Sequence, residues 1–214
     1  MHIPDGFIAP QFYLPAYLLA GGAWVWAARG IRRTLDEETI PRLAVITALA
    51  YAIGLVMLPL PGGTSGHLLG IGILAMLFGV RLAFLAYSLV LLLQAMLLGA
   101  GGITALPVNA LAVGLVGASA MALCVRWRST RNPLPAIAVG AFLAVVLPAL
   151  LIALVLGVQP IIAQQDDGSP LFFPFRPEIV VPAIMLPHLL IGIAEAVLTL
   201  AVWRYACDRG GCIE

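Results

Sequence analysis

Residues 134–158 read LPAIAVGAFLAVVLPALLIALVLGV, without one charged side chain from end to end. An α-helix rises about 1.5 Å per residue, so about 20 mostly apolar residues cross the hydrocarbon layer of a bilayer. This stretch is long enough to cross, and its surroundings share its character. The 214-residue chain is 62% hydrophobic and 10% charged, with a mean hydropathy of +1.07. Such a composition suits lipid as the solvent and excludes an ordinary water-soluble domain.

Working outward from it, apolar segments of comparable character run over 11–28, 43–60, 67–80, 82–99, 107–125, 134–158 and 180–203. The third is short for a full crossing and is compatible with a tilted helix beside a re-entrant loop. The expected fold is therefore an all-α polytopic membrane bundle of about seven transmembrane helices in a single domain, 1–214.

The chain has no lysine, so its arginines decide the orientation. With the N-terminus outside, the cytoplasmic segments hold Arg29, Arg32, Arg33, Arg42, Arg81, Arg126, Arg128, Arg131, Arg204 and Arg209, and only Arg176 lies outside. That asymmetry predicts an outer N-terminus and a cytoplasmic C-terminus. The segments 61–67, 99–104 and 159–177 then face out as well. A net charge of +1 argues against a nucleic-acid surface. There is no G-x-x-x-x-G-K-[ST] loop, so no bound ATP is expected on this chain. Cys124 lies near the inner end of a span, and Cys207 and Cys212 lie in the inner tail, where thiols are expected to stay reduced.

The first ten residues, MHIPDGFIAP, are polar and turn-forming on a chain that is otherwise apolar, and they do not read as a secretory signal. Bulky His2 is expected to leave Met1 in place with a free amine. The Met1 amine, the His2 backbone nitrogen and the His2 ring Nδ1 can then close fused five- and six-membered chelate rings on one ion. Planar nitrogen coordination favours Ni2+ or Cu2+ over zinc, which prefers a tetrahedron, and over calcium or magnesium, which prefer oxygen. A fourth ligand must come from the outer face. His67, after GGTSG, is the better placed of the two remaining histidines, and His188 lies deeper in the seventh span. The ordinary alternatives are a solvated His2 and a His67 that caps the helix it precedes.

MHIPDGF (1–7), GGTSGHLLG (62–70), LLLQAMLLGAGGIT (91–104) with Asn109 shortly after, and PHLLIGIAEAVLT (187–199) resemble the cobalt/nickel-specific S component of energy-coupling-factor importers, the CbiM/NikM family. The resemblance runs in order from position 1 to about 200. It implies Met1, His2 and His67 as metal ligands, with Gln94 and Asn109 near the pocket. It also implies a six-helix core over 43–203, an extra N-terminal helix over 11–28, and a metal-binding segment over 1–10. A ligating imidazole usually passes its other proton to an oxygen partner, which Gln94 and Asn109 can supply. Both can equally tie up loop backbone, and Thr64 and Ser65 share that ambiguity.

Glu195 is a carboxylate well inside a span, seven residues after His188 and on the same helix face. It reads either as an interhelical hydrogen-bond partner or as a residue of ion release or conformational coupling. Ala44, Ala48 and Ala52 recur every four residues and make a small-residue stripe. The stripe either packs neighbouring spans or, by the resemblance, docks a coupling partner.

Together these features predict a non-catalytic capture subunit for Ni2+ or Co2+, the ions being transported substrate, in a prokaryotic cytoplasmic membrane. The resemblance implies a T-type transmembrane coupling protein, two ABC ATPase subunits and often a small accessory membrane protein as partners. The rivals are an intramembrane metalloenzyme built on His2, His67, His188 and Glu195, and a stand-alone metal channel or secondary transporter.

Overall fold

The structure, a computed structural model, describes residues 2–31, 34–60, 64–127 and 132–208, with backbone alone at 58–60, 64 and 65. Met1, Arg32, Arg33, Arg128, Arg131, Arg209 and Cys212, and the side chains of Thr64 and Ser65, lie outside the described residues.

The regular structure among the described residues is helical apart from one small hairpin and a single bridge between Gln164 and Pro170. Its elements are α1 (Pro10–Ala28), α2 (Thr39–Leu55), β1 (Leu58–Leu60), β2 (Thr64–Gly66), α3 (Ile71–Leu98), α4 (Leu106–Asn109), a π-helical segment (Ala110–Gly117), α5 (Ala118–Arg126), α6 (Leu134–Ile162) and α7 (Pro177–Asp208). Among the described residues four stretches are long and apolar enough to cross a membrane: Ile71–Leu98, Leu106–Arg126, Leu134–Ile162 and Pro177–Asp208. Thr39–Leu55 is apolar but shorter. The quoted stretch starts α6 where expected, and the helix runs on to Ile162, beyond the expected end at 158.

The segments expected at 67–80 and 82–99 are two helices, both within Ile71–Leu98, that meet at a break at Gly79, whose φ of 74° and ψ of 175° leave the helix. Only glycine adopts that conformation without a steric penalty. Residues 67–70 are not helical. His67 therefore lies in an irregular segment between the β1–β2 hairpin and α3 instead of opening a span. Leu58 pairs with Gly66 and Leu60 with Thr64 in antiparallel register, so the hairpin feeds this segment back toward the helices.

Helices α6 and α7 pack antiparallel. A Cβ on Gly157 would meet Pro177, and a Cβ on Gly192 would meet Phe142 and Val146, so the two backbones approach where side chains are smallest. Gly117, at the end of the π-helical segment, lies against the Ala144 carbonyl, which draws the Leu106–Arg126 rod onto α6. Helix α1 is anchored on α3 by the Trp24 Nε1–H donating to Ser88 Oγ at 2.9 Å and by Trp24 stacking on Phe84. The core is made of Ile71, Leu74, Phe84, Tyr87, Met121 and Ile137 with alanines between them, all buried.

At one end of the bundle the loops converge on the N-terminal segment. Phe7 contacts Phe173 of the 163–176 loop with ring centroids 5.6 Å apart, and the Tyr17 hydroxyl donates to the Ile103 carbonyl at 2.5 Å. Toward the other end Arg81 donates to the Arg29 carbonyl at 3.4 Å and lies over the Trp26 ring. Cys124 is a free thiol. Cys207 is disulfide-bonded, where the sequence reading expects a reduced thiol.

Candidate metal centre

The chain does not leave residues 2–9 in solvent. Ile3, Ile8 and Ala9 are buried, so this polar-looking segment enters the bundle apolar side first. Burial of its backbone requires partners for its amides and carbonyls. Distant residues supply them. Asn109 is used at both ends of its amide: the Ile3 N–H donates to Oδ1 at 3.0 Å and Nδ2 donates to the Ile3 carbonyl at 3.1 Å. The Ala9 N–H donates to Gln159 Oε1 at 2.9 Å. Gln159 is fully buried and is itself fixed by donating from Nε2 to the Val155 carbonyl at 2.8 Å.

Between these two clamps lies Asp5. Its carboxylate accepts from the Ile103 N–H at 3.1 Å, the Thr104 N–H at 2.8 Å and the Thr104 hydroxyl at 2.5 Å. Partial desolvation pushes its pKa up, and the Thr104 and Ile103 hydrogen bonds more than offset this, leaving it below the ordinary carboxylate range. The approach is so close that a Cβ on Gly102 would overlap the Asp5 backbone nitrogen and carboxylate. Gly101, at φ 95°, lies between His2 and Asn109: a Cβ there would be 3.2 Å from His2 Cβ and 3.6 Å from Asn109 Nδ2.

This strap sets the His2 and His67 rings side by side, with centroids 5.0 Å apart and planes inclined at 40°. The His67 Nδ1 is 2.9 Å from the Leu68 carbonyl. A proton on Nδ1 satisfies that contact and leaves Nε2 as the lone-pair atom. Burial, followed by nearby positive charge, lowers the His67 pKa to about 4. Burial likewise holds His2 well below its ordinary value. Both imidazoles are therefore neutral at pH 7, the form that ligates metals.

Gln94 stands next to them. A Cβ on Gly54 would run into Gln94 Nε2 and lie 3.6 Å from His67 Nδ1, so Gly54 on α2 lets three elements meet at this point. Four buried side-chain polar atoms among the described residues lack a hydrogen-bond partner: His2 Nε2, Gln94 Oε1, His188 Nε2 and Thr199 Oγ1. Three of the four belong to residues singled out from the sequence. His2, His67 and His188 share the wall of a cavity of about 430 Å3 with Met57, Leu98 and Gly101.

Glu195 is placed differently. Fully buried, its carboxylate accepts from the Leu69 N–H at 2.9 Å and the Gly70 N–H at 2.5 Å. It thereby ties α7 to the backbone just after His67 and covers the start of α3. Among the described residues no three His, Cys, Asp or Glu side chains are arranged to share an ion. His2, His67, His188 and Glu195 thus do not converge on a single centre. Thr64 and Ser65 contribute backbone to β2. Ala44 and Ala48 line an apolar groove of about 570 Å3 between α2 and α3, with Tyr51, Leu85 and Leu89, and Ala52 is exposed on α2.

Sequence reasoning missed Gln159, Asp5, Gly101 and Gly102. An amide inside an apolar helix was a legible signal for Gln159, as it was for Gln94. The glycines gave none, because GAGGIT reads as a flexible loop until Asp5 and His2 are seen against it.

The fold defines a helical membrane protein whose N-terminal segment is buried beside an imidazole from an interhelical loop. The chain belongs to the CbiM family, the cobalt uptake substrate-specific transmembrane region, whose profile matches residues 2–209. It is 36% identical over 96% of its length to a probable fused nickel transport protein, LarMN, of Lactiplantibacillus plantarum. It is also 36% identical over 95% of its length to the fused nickel transport protein NikMN of Rhodobacter capsulatus. The alignments span 64% and 61% of those two proteins, so this chain corresponds to under two thirds of each. A solved transition metal transporter superposes with a TM-score of 0.91 at 32% identity, covering 97% of this chain and 93% of that one.

Proposed function

We propose that this chain captures Ni2+ or Co2+ at the outer membrane face as the substrate-binding subunit of an energy-coupling-factor importer. The ligands are the Met1 amine, the His2 backbone nitrogen and ring Nδ1, and the His67 ring. In this reading the chain crosses the membrane about seven times, with the break at Gly79 separating two of the crossings, and its N-terminus faces out. The observation that carries the proposal is the strap itself: Asn109 and Gln159 hold residues 3–9 inside the bundle, which brings the His2 and His67 rings 5.0 Å apart.

Four nitrogens in this arrangement suit a late first-row ion and discriminate against oxygen-preferring Mg2+ and Ca2+. Gln94 lies beside His67 and fixes its surroundings. The chain performs no chemistry. Energy comes from two ABC ATPase subunits acting through a T-type transmembrane coupling protein that docks on the Ala44, Ala48 and Ala52 face, with a small accessory membrane protein as a further partner.

The test is nickel and cobalt titration of the purified protein with a native N-terminus, beside a variant carrying one extra residue before Met1. Extension converts the amine into an amide and displaces it, and the expected loss of affinity is at least about 100-fold. Equal affinity in the two proteins removes the terminal amine from the ligand set and overturns the proposal.

A further inference from the structure

His188 on α7 is a buried imidazole that the ligand set above does not use. It is 7% exposed, and its Nδ1 lies 2.7 Å from the Ile184 carbonyl one turn earlier. That contact fixes the ring's proton on Nδ1 and leaves the lone pair on Nε2. Nε2 is buried and has no hydrogen-bond partner among the described residues. An unpaired buried polar atom gives up its hydration without a replacement, a cost that helix packing alone gives no reason to retain.

The location of the ring supplies the reason. The cavity wall passes from Met57, Leu98 and Gly99, which are exposed, to His67 and His188, which are buried, with His2 alongside. It therefore joins the surface to the imidazoles. At about 430 Å3 the cavity admits an ion with several of its waters, each water occupying about 30 Å3 in the liquid. Yet His188 does not stand around one point with His2 and His67, since no three such side chains among the described residues are placed to share an ion. An imidazole that shares the wall of this surface-connected cavity with His2 and His67, yet stands outside a common centre with them, is placed to meet the ion inside the cavity.

We infer that His188 is a transfer ligand: its Nε2 binds a hydrated divalent transition-metal ion entering the cavity and hands it to the centre at His2 and His67. This rests on the capture function proposed above. In the first step a metal–water bond breaks as the Nε2–metal bond forms, and the water stays in the cavity. In the second the Nε2–metal bond breaks as nitrogens of the centre replace it. No electron or proton changes hands at His188. A neutral imidazole favours Ni2+ and Co2+ over Mg2+ and Ca2+, so the transfer step also filters hard ions before they reach the strap.

The experiment is rapid mixing of Ni2+ with the purified full chain bearing a native N-terminus, following the nickel–nitrogen absorption band. His188→Asn keeps a donor for the Ile184 carbonyl and removes Nε2; His188→Ala removes the whole ring. Loading is expected to slow about tenfold in both variants, with the final spectrum matching that of the unaltered protein. The Asn variant decides the matter if the Ala variant does not fold. Loading at the unaltered rate overturns the inference, and so does a changed final spectrum, which would make His188 a ligand of the finished centre. An unaltered protein that takes up no nickel sinks the capture function itself, a result distinguishable from either.

Discussion

The N-terminal strap and the α2–α3 groove differ in how each is held. Ile3, Phe7, Ile8 and Ala9 make half of residues 2–9 apolar; Ile3, Ile8 and Ala9 are buried, and the segment is fixed by Asn109, Gln159 and Thr104, residues about 100 to 150 positions away along the chain. The groove is the reverse case. Its small-residue stripe is regular and local in sequence, but Ala44 and Ala48 stay exposed and border an open apolar furrow. In a bilayer an apolar furrow is as compatible with lipid as with another helix, so it constrains its neighbour weakly. A buried backbone amide without a partner is costly, so each clamp on the strap is specific.

The contrast breaks first if Asn109 proves dispensable. Asn109→Leu leaves the Ile3 N–H and carbonyl buried and unpaired, at about 1–3 kcal/mol for each group. Nickel affinity measured calorimetrically is expected to fall roughly 10- to 100-fold, the range seen when groups supporting a metal ligand are removed. Unchanged affinity would show that the strap is held by its apolar side chains and not by this amide.

Asp5 sharpens the comparison by pH. Its carboxyl is held below its ordinary value, so the charged form is favoured more in the folded protein than in the unfolded chain. The stabilisation is fully present above the ordinary carboxylate range and is lost as pH falls through the depressed folded value. The protection of the Ile103 and Thr104 amides against hydrogen exchange, taken relative to the intrinsic rate at each pH, should therefore fall in acid, and Asp5→Asn should flatten that dependence. A profile the same in both proteins would sever Asp5 from the latch. Because Asp5 is largely exposed, the effect should be smaller than that at Asn109.

The smallest effect is expected in the groove. Ala44→Leu combined with Ala48→Leu fills a furrow that shares no wall residue with the cavity of His2 and His67. Nickel affinity should move by less than about twofold, as for surface substitutions generally, while co-purification with a coupling partner should fall. A large loss of nickel binding would show that the groove and the strap are one cooperative unit.

Legibility followed the same division. The apolar stretches at 134–158 and 180–203 were readable because hydropathy needs only neighbours in sequence, and both lie within observed helices. The division between 67–80 and 82–99 was readable too, but not its exact place: the break falls at Gly79, and residues 67–70 belong to a loop. Hydropathy is blind to a single φ of 74°. His2, His67, Gln94 and Asn109 were identifiable as polar residues with no evident reason to lie in lipid. Their mutual placement was not, because it depends on loops from four parts of the chain meeting at one end of the bundle.

What the sequence determined is the solvent, the helical class and the chemistry available: neutral imidazoles and amides in a chain too apolar for water. These follow from composition and local periodicity alone. Tertiary structure decided which of those groups meet. It turned Glu195 into a cap for the segment carrying His67, made Gln159 a clamp on Ala9, and required Gly101 and Gly102 to carry no side chain. The physical reason is that a buried polar group is satisfied by whatever lies within about 3 Å in space, and separation along the chain carries no information about that distance.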